Sequence, residues 1–306
     1  MSCKRHKLRL ISRQKRSRQQ EKACCGQMIV SNVRPTQKEW HMAPRKGKKP
    51  VWVVEKERTR KSGGPETVWL FGLHAVRDAL MNPARERLRL VVTKNASDKL
   101  AEAIAKSGME PEIQDPRKFN VPIDAQSVHQ GAALEVKPLD WGNLSEQCAP
   151  RGERSVVLVL DRVTDPHNVG AILRSAEVFG ARAVVATLRN SAPETGALAK
   201  TASGALERQP YLRVQNLVKA MKTLSDMGYR LIALDGTAEI DLQNTLDVEP
   251  NAPTALVLGA EGPGLRESTK ETCDVIAKIP FQREFGSLNV SNAAAVSLYA
   301  LQQTKG

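Results

Sequence analysis

Long apolar runs are missing from this 306-residue chain. Nothing approaches the roughly 18 consecutive apolar residues that a membrane span requires. No short apolar stretch follows a basic start with a small-residue cleavage site, so no secretory leader is expected. A soluble, cytoplasmic protein without a membrane partner is the expectation. Patterned cysteine is missing too. Cys3, Cys24, Cys25, Cys148 and Cys273 are odd in number, two are adjacent, and none has the paired spacing of a zinc site. Free thiols in a reducing cytosol are expected, with no bound metal.

Two nucleotide signatures are also absent. After the apolar run Val156–Leu160 the chain reads Asp161-Arg162-Val163-Thr164-Asp165-Pro166-His167-Asn168-Val169-Gly170. That segment has one glycine where a dinucleotide fold needs Gly-x-Gly-x-x-Gly, which disfavours a nicotinamide-dependent oxidoreductase. No Gly-Lys-Ser/Thr occurs anywhere, which removes a P-loop.

Positive charge is present but localised. Residues 1–66 hold 19 Lys+Arg against 5 Asp+Glu and carry +14; the remainder holds 27 against 28 and carries −1. A basic tail with little apolar periodicity is expected to be disordered and drawn to polyanions through salt-sensitive contacts. A purely solubilising tail is an equal reading. Residues 1–20 lack any acid, so a transit peptide leading to an organellar matrix stays open, as does a translation start at Met42.

Order is expected from about Thr67. Val68–Phe71 leads into Gly72–Leu80, whose apolar positions 73, 76, 79 and 80 follow helical spacing until Asn82-Pro83 breaks it. Leu88–Val92 and Ala132–Val136 have strand character, Glu110–Ile113 that of a short strand, and Ala96–Ser107 that of a helix ended by Gly108. Residues 67–137 thus form a small α/β unit, 138–154 a Pro/Gly-containing linker, and 155–306 a second α/β domain. In the latter, apolar runs at 156–160, 183–186, 231–234, 255–258 and 275–279 alternate with helical stretches at 168–179, about 195–206, 215–227 and 289–302. That alternation predicts a mainly parallel sheet covered on both faces.

Glycine clusters late, in Leu258-Gly259-Ala260-Glu261-Gly262-Pro263-Gly264-Leu265, directly after a strand. This loop lets a ligand approach the backbone closely. Three segments in order, Asp161–Gly180 (DRVTDPHNVGAILRSAEVFG), Leu256–Leu265 (LVLGAEGPGL) and Ile279–Ala293 (IPFQREFGSLNVSNA), resemble the motifs of the SpoU branch of the SPOUT RNA methyltransferases. The preceding unit, with Phe71–Val76 near its start and Val128-His129-Gln130-Gly131 near its end, resembles the L30e-like RNA-binding domain found before many of them. Within the family the pattern is most similar to the enzymes acting on a guanosine ribose of 23S rRNA. The middle of the third motif, Gln282–Gly286, is bulkier and more charged than the small-residue run usual there.

The resemblance implies a sheet threaded into a trefoil knot, bound S-adenosylmethionine, a homodimer, and transfer of methyl to a ribose 2′-hydroxyl of structured RNA. An rRNA substrate is implied first and tRNA second. A non-catalytic RNA-binding or ribosome-assembly protein on the same scaffold is the reading from a different class. Arg174 matches an essential position. Because guanidinium is effectively always charged, the expected role is to clamp a substrate phosphate and stabilise the developing alkoxide. Asn168 fits a helix cap and an active-site amide equally well. Glu261 is expected to hold the glycine loop or to orient Arg174. Ser287 and Asn289, ahead of the last helix, fit capping alone; the string Ser287–Ser291 adds substrate and cofactor positioning. Gly259, Ile279 and Leu288 are the implied backbone contacts to the cofactor. Asp165 and His167 carry no expected role.

Overall fold

The computed structural model describes residues 67–124, 126–151, 154–282 and 288–304. The basic tail and Ser287 lie outside the described residues. Among the described residues no helix is long and apolar enough to cross a membrane.

The front unit is a four-stranded sheet. Strands β1 (Val68–Phe71), β2 (Arg87–Val92), β3 (Glu112–Ile113) and β4 (Ala132–Val136) lie in the order β1-β4-β2-β3. The β4 strand pairs antiparallel with β1 and β2, and β3 pairs parallel with β2. Helix α1 (Leu73–Met81) starts at Gly72 and α2 (Lys94–Ser107) stops at Gly108, which adopts the left-handed conformation that glycine tolerates.

Residues 138–154 are less of a linker than their Pro/Gly content suggests. They hold a short helix, α3 (Leu144–Gln147). Trp141 and Leu144 pack on the second domain's core, and the fully buried Cys148 accepts a hydrogen bond at its carbonyl from Tyr229 Oη (2.8 Å). Apolar side chains among the polar ones bind this strap to the sheet face.

The second domain has a seven-stranded, all-parallel sheet of β5 (Val156–Asp161), β6 (Ala183–Thr187), β7 (Tyr211–Val214), β8 (Arg230–Leu234), β9 (Ile240–Asp241), β10 (Thr254–Gly259) and β11 (Val275–Lys278). Their order is β7-β6-β5-β10-β8-β11-β9, so β10 lies between β5 and β8. The helices are α4 (Pro166–Val178), α5 (Gly196–Ala202), α6 (Leu217–Asp226), α7 (Leu242–Val248), α8 (Glu267–Lys270) and α9 (Val290–Gln303). Alternate residues of each central strand point to opposite faces. Leu158, Leu160, Leu256 and Leu258 join the core under α4, α5 and α9, whereas Val157, Val159, Ala255 and Val257 join that under α6. This is why the runs are continuously apolar. The edge strands β7 and β9 and the short helices α7 and α8 escaped the sequence pattern, because short or half-exposed elements lack a sustained period.

The first of these cores continues into the front unit through Leu70, Val76 and Leu134. The contact is polar as well. Arg85 donates from Nε and Nη2 to Glu207 (3.0 and 2.6 Å), and from Nη1 to the Lys137 carbonyl (2.9 Å) and to Glu194. Arg208 donates to Asp78 on α1 (2.7 Å) and to Glu177 on α4. Its guanidinium pKa is raised by the Glu177 hydrogen bond foremost, then by Asp78, although burial opposes the charge.

Candidate active site

The parallel register brings the carboxyl ends of β5, β10 and β8 to one edge, pairing Gly259 with Asp161 and Leu258 with Leu234. Ligands in α/β sheets bind outside such an edge. Here it carries a cavity of about 700 Å³ lined by residues 234–237, 258–262, 264–265, 279–281, 288, 290 and 293. All three implied cofactor positions, Gly259, Ile279 and Leu288, line it. The segment Asp235-Gly236-Thr237 lines it too and carried no expected role. Its signal was an Asp-Gly pair directly after the apolar run Leu231–Leu234.

The glycine loop folds back tightly. Gly264 N–H donates to the Ala260 carbonyl (3.0 Å), and a Cβ on Gly259 would stand 2.4 Å from the Gly264 backbone. Only glycine fits there. The loop's far end is pinned by Asp161, a fully buried carboxylate that accepts from Arg266 N (3.1 Å), Arg266 Nε (2.8 Å) and Thr269 Oγ1 (2.8 Å). At the cavity wall, burial would push the Asp235 carboxyl up, yet Lys270 and the Thr237 N–H and hydroxyl hold it below the usual carboxylate range.

Three predicted residues converge from separate motifs at the cavity mouth. Asn168 Nδ2 donates to Glu261 Oε1 (3.0 Å), and Asn289 Nδ2 donates to Asn168 Oδ1 (2.9 Å) and to Glu261 Oε1. Asn289 caps α9, its Oδ1 accepting from Ser291 N (2.9 Å). Val290 N–H reaches Glu261 Oε1 at 3.4 Å, placing the carboxylate at the positive end of α9. Among the described residues, Glu261 Oε2 has no hydrogen-bond partner.

Asn168 does not cap α4. Asp165 does, accepting from His167 N at 3.0 Å, so Asn168 is the third helical residue with its amide turned to the cavity mouth. Pro166 suits the first helical position and moves the start back two residues from the expected one. Glu261 holds the loop and the two asparagines together and makes no bond to Arg174. Arg174, nearly two turns along α4 from Asn168, is exposed, and among the described residues nothing hydrogen-bonds or ion-pairs with it. His167 Nδ1 lies 3.1 Å from Thr201 Oγ1 on α5, a contact without a sequence signal.

A carboxylate–amide cluster thus stands beside a glycine-lined cavity at the edge of a parallel sheet, and the helix that supplies Asn168 also carries Arg174, which has no partner among the described residues. The chain belongs to the SpoU rRNA methylase family, whose model matches residues 155–299, while the model for RNA 2′-O ribose methyltransferase substrate binding matches residues 69–141. Among its relatives, the 23S rRNA (guanosine-2′-O-)-methyltransferase RlmB of Vibrio cholerae is 36% identical over 236 residues, covering 75% of this chain and 94% of that protein. The Pseudomonas aeruginosa protein of the same name is 35% identical over 237 residues, covering 76% and 94%. The fold is shared with the SpoU methyltransferase AviRb from Streptomyces viridochromogenes in complex with AdoMet, at TM-score 0.66 and 22% identity over 81% of this chain and 92% of that one.

Proposed function

We propose that this protein transfers a methyl group from S-adenosylmethionine to the ribose 2′-hydroxyl of a guanosine in 23S rRNA. The observation that carries the reading is the Asn168–Glu261–Asn289 cluster at the mouth of the glycine-walled cavity, with Arg174 uncommitted on the same helix as Asn168. Two relatives of 35–36% identity that bear the guanosine-2′-O-methyltransferase name match both domains.

The cavity suits the cofactor. Its volume lies in the range of small-molecule sites, and its lining combines Leu234, Leu258, Ile279 and Leu288 with glycine backbone that can reach an adenine edge. Among the described lining residues the charged side chains are Asp235 and Glu261, both acidic, which suits a cationic sulfonium. When bound, the cofactor supplies a methyl group already activated by positive sulfur, and the proposed chemistry needs no metal. The chain's own task is to align the hydroxyl oxygen with that methyl and to ease loss of its proton. Arg174 holds the neighbouring phosphate and offsets charge developing on the ribose oxygen. Glu261, through Oε1, fixes both asparagines where the ribose enters.

The same reading includes the trefoil threading, supported by the placement of β10 between β5 and β8. It includes a homodimer, supported by Val178, Val296 and Tyr299, which are 70%, 43% and 56% exposed on the packed helices α4 and α9. It also includes a cytoplasmic location. Incubating purified protein with labelled cofactor and total rRNA or tRNA, then mapping the modified nucleotide, tests the proposal. Label at a guanosine ribose of 23S rRNA is expected. Label only in tRNA would overturn the substrate, label on a base the reaction, and failure to bind S-adenosylmethionine by calorimetry would favour the non-catalytic reading.

A further inference from the structure

Helix α5 (Gly196–Ala202) lies between β1 of the front domain and α4, and glycines let it approach both closely. A Cβ at Gly196 would stand 2.3 Å from the Trp69 carbonyl of β1 and 2.5 Å from the Phe71 ring. On its other side, a Cβ at Gly170 of α4 would stand 2.6 Å from the Leu198 carbonyl and 2.8 Å from Thr201 Cβ. Backbones this close do not slide, so whatever α5 carries is held in register with both the front sheet and the active-site helix.

What α5 carries at the seam is Lys200. Its ammonium sits 5.9 Å over the Phe71 ring, and a methyl group at Gly72 would meet its Cγ at 3.7 Å. The next residue, Thr201, contacts His167, which adjoins Asn168. Lys200 is half-buried, and among the described residues no carboxylate reaches it. The acids of the domain contact are already paired. Arg85 takes Glu194 and Glu207, and Arg208 takes Asp78 and Glu177. A positioned cation that rests on an aromatic ring and has no carboxylate partner among the described residues, between an RNA-binding domain and a ribose-methylating site, calls for an anion of the substrate, because residues 67–306 together carry no net positive charge to attract one.

We infer that Lys200 binds a backbone phosphate of the substrate RNA at the seam between the domains, so that the strand crosses from the front domain to the active site along the Gly72–Lys200–Thr201–His167 line. This inference rests on the methyltransferase reading. It gives α5 a function that packing alone does not need: it sets the distance between the RNA feature gripped by the front domain and the ribose presented to Arg174.

Steady-state methylation of protein-free 23S rRNA, and RNA binding by the full chain across a salt series, test it. Lys200→Gln is expected to raise KM for RNA about fivefold and to lower the slope of log affinity against log salt by about one. The loss should fall on KM for RNA and not on kcat, with S-adenosylmethionine affinity unaltered. Lys200→Arg keeps the charge and should restore both readouts, whereas Lys222→Gln on α6, over the opposite sheet face, should change neither. If Lys200→Arg fails as badly as Lys200→Gln, the effect is packing over Phe71 and the inference falls. Wild-type protein that methylates 23S rRNA alongside a Lys200→Gln variant of equal KM and salt slope overturns this inference alone. Wild-type protein that leaves the RNA unmodified overturns the functional reading beneath it.

Discussion

Two polar networks join distant parts of this chain, and they differ in burial and in saturation. Around Arg85 the side chains are sealed: Arg85 is 2% exposed, Glu194 8% and Glu207 7%. Every guanidinium nitrogen of Arg85 has an acceptor, and Asn82 Nδ2 adds a bond to Glu207 (2.8 Å). Around Asn168 the cluster opens onto a cavity, Glu261 keeps one oxygen free among the described residues, and Arg174, further along the same helix as Asn168, has no described partner. A buried network with every group satisfied has nothing left to offer a ligand and serves to fix geometry. An open one with spare donors and acceptors can recognise a substrate. From the residue types alone nothing separates them, since each is drawn from Asn, Glu and Arg.

Removing Arg85 is the strongest test of this contrast. Arg85→Ala strands two buried carboxylates and is expected to cost about 3–5 kcal/mol in urea unfolding; a loss below ~1 kcal/mol would mean the seam is solvated. Arg174→Ala should act the opposite way. Its kcat is expected to fall by about 100-fold or more while S-adenosylmethionine affinity by calorimetry stays within about twofold and the melting temperature is unmoved. Asn168→Ala, at the open cluster, should lower kcat by roughly 10- to 100-fold through misplaced Glu261 and Asn289, with a stability loss under ~1 kcal/mol.

The smallest effect concerns protonation. Burial pushes the Glu194 carboxyl up, and Arg85 draws it back only in part. A carboxyl raised by folding contributes stability while it is protonated, below its unfolded range, and that contribution is lost as pH rises through its folded value. Glu194→Gln keeps an acceptor for Arg85 and removes the titration. Its stability near neutral pH should lie within ~1 kcal/mol of the parent, with a flatter pH profile above the ordinary glutamate range. An unchanged profile would show that Glu194 stays ionised in the folded protein.

Much of the architecture was legible because it follows from period and burial. The runs at 156–160, 183–186, 231–234, 255–258 and 275–279 are the central parallel strands, within a residue or so at each end. Their continuity reflects packing on both faces. The strap at 138–154 was harder, since its Pro and Gly positions look like a tether and its anchoring depends on Trp141, Leu144 and Cys148 finding a distant sheet face.

Local strings with fixed spacing were enough to carry the family, the glycine loop and the residue types that the site needs. Which side chains meet was settled by the three-dimensional packing. It made Asp165 rather than Asn168 the cap of α4, turned Glu261 toward the asparagines rather than Arg174, and closed Arg85 between Glu194 and Glu207. It also left Arg174 and Lys200 without a carboxylate among the described residues. The reason is physical: Asn168 and Glu261 lie 93 positions apart and Arg85 and Glu207 lie 122 apart, so neither pair carries a local mark of its meeting. Strand order and the packing of helices across the sheet set both.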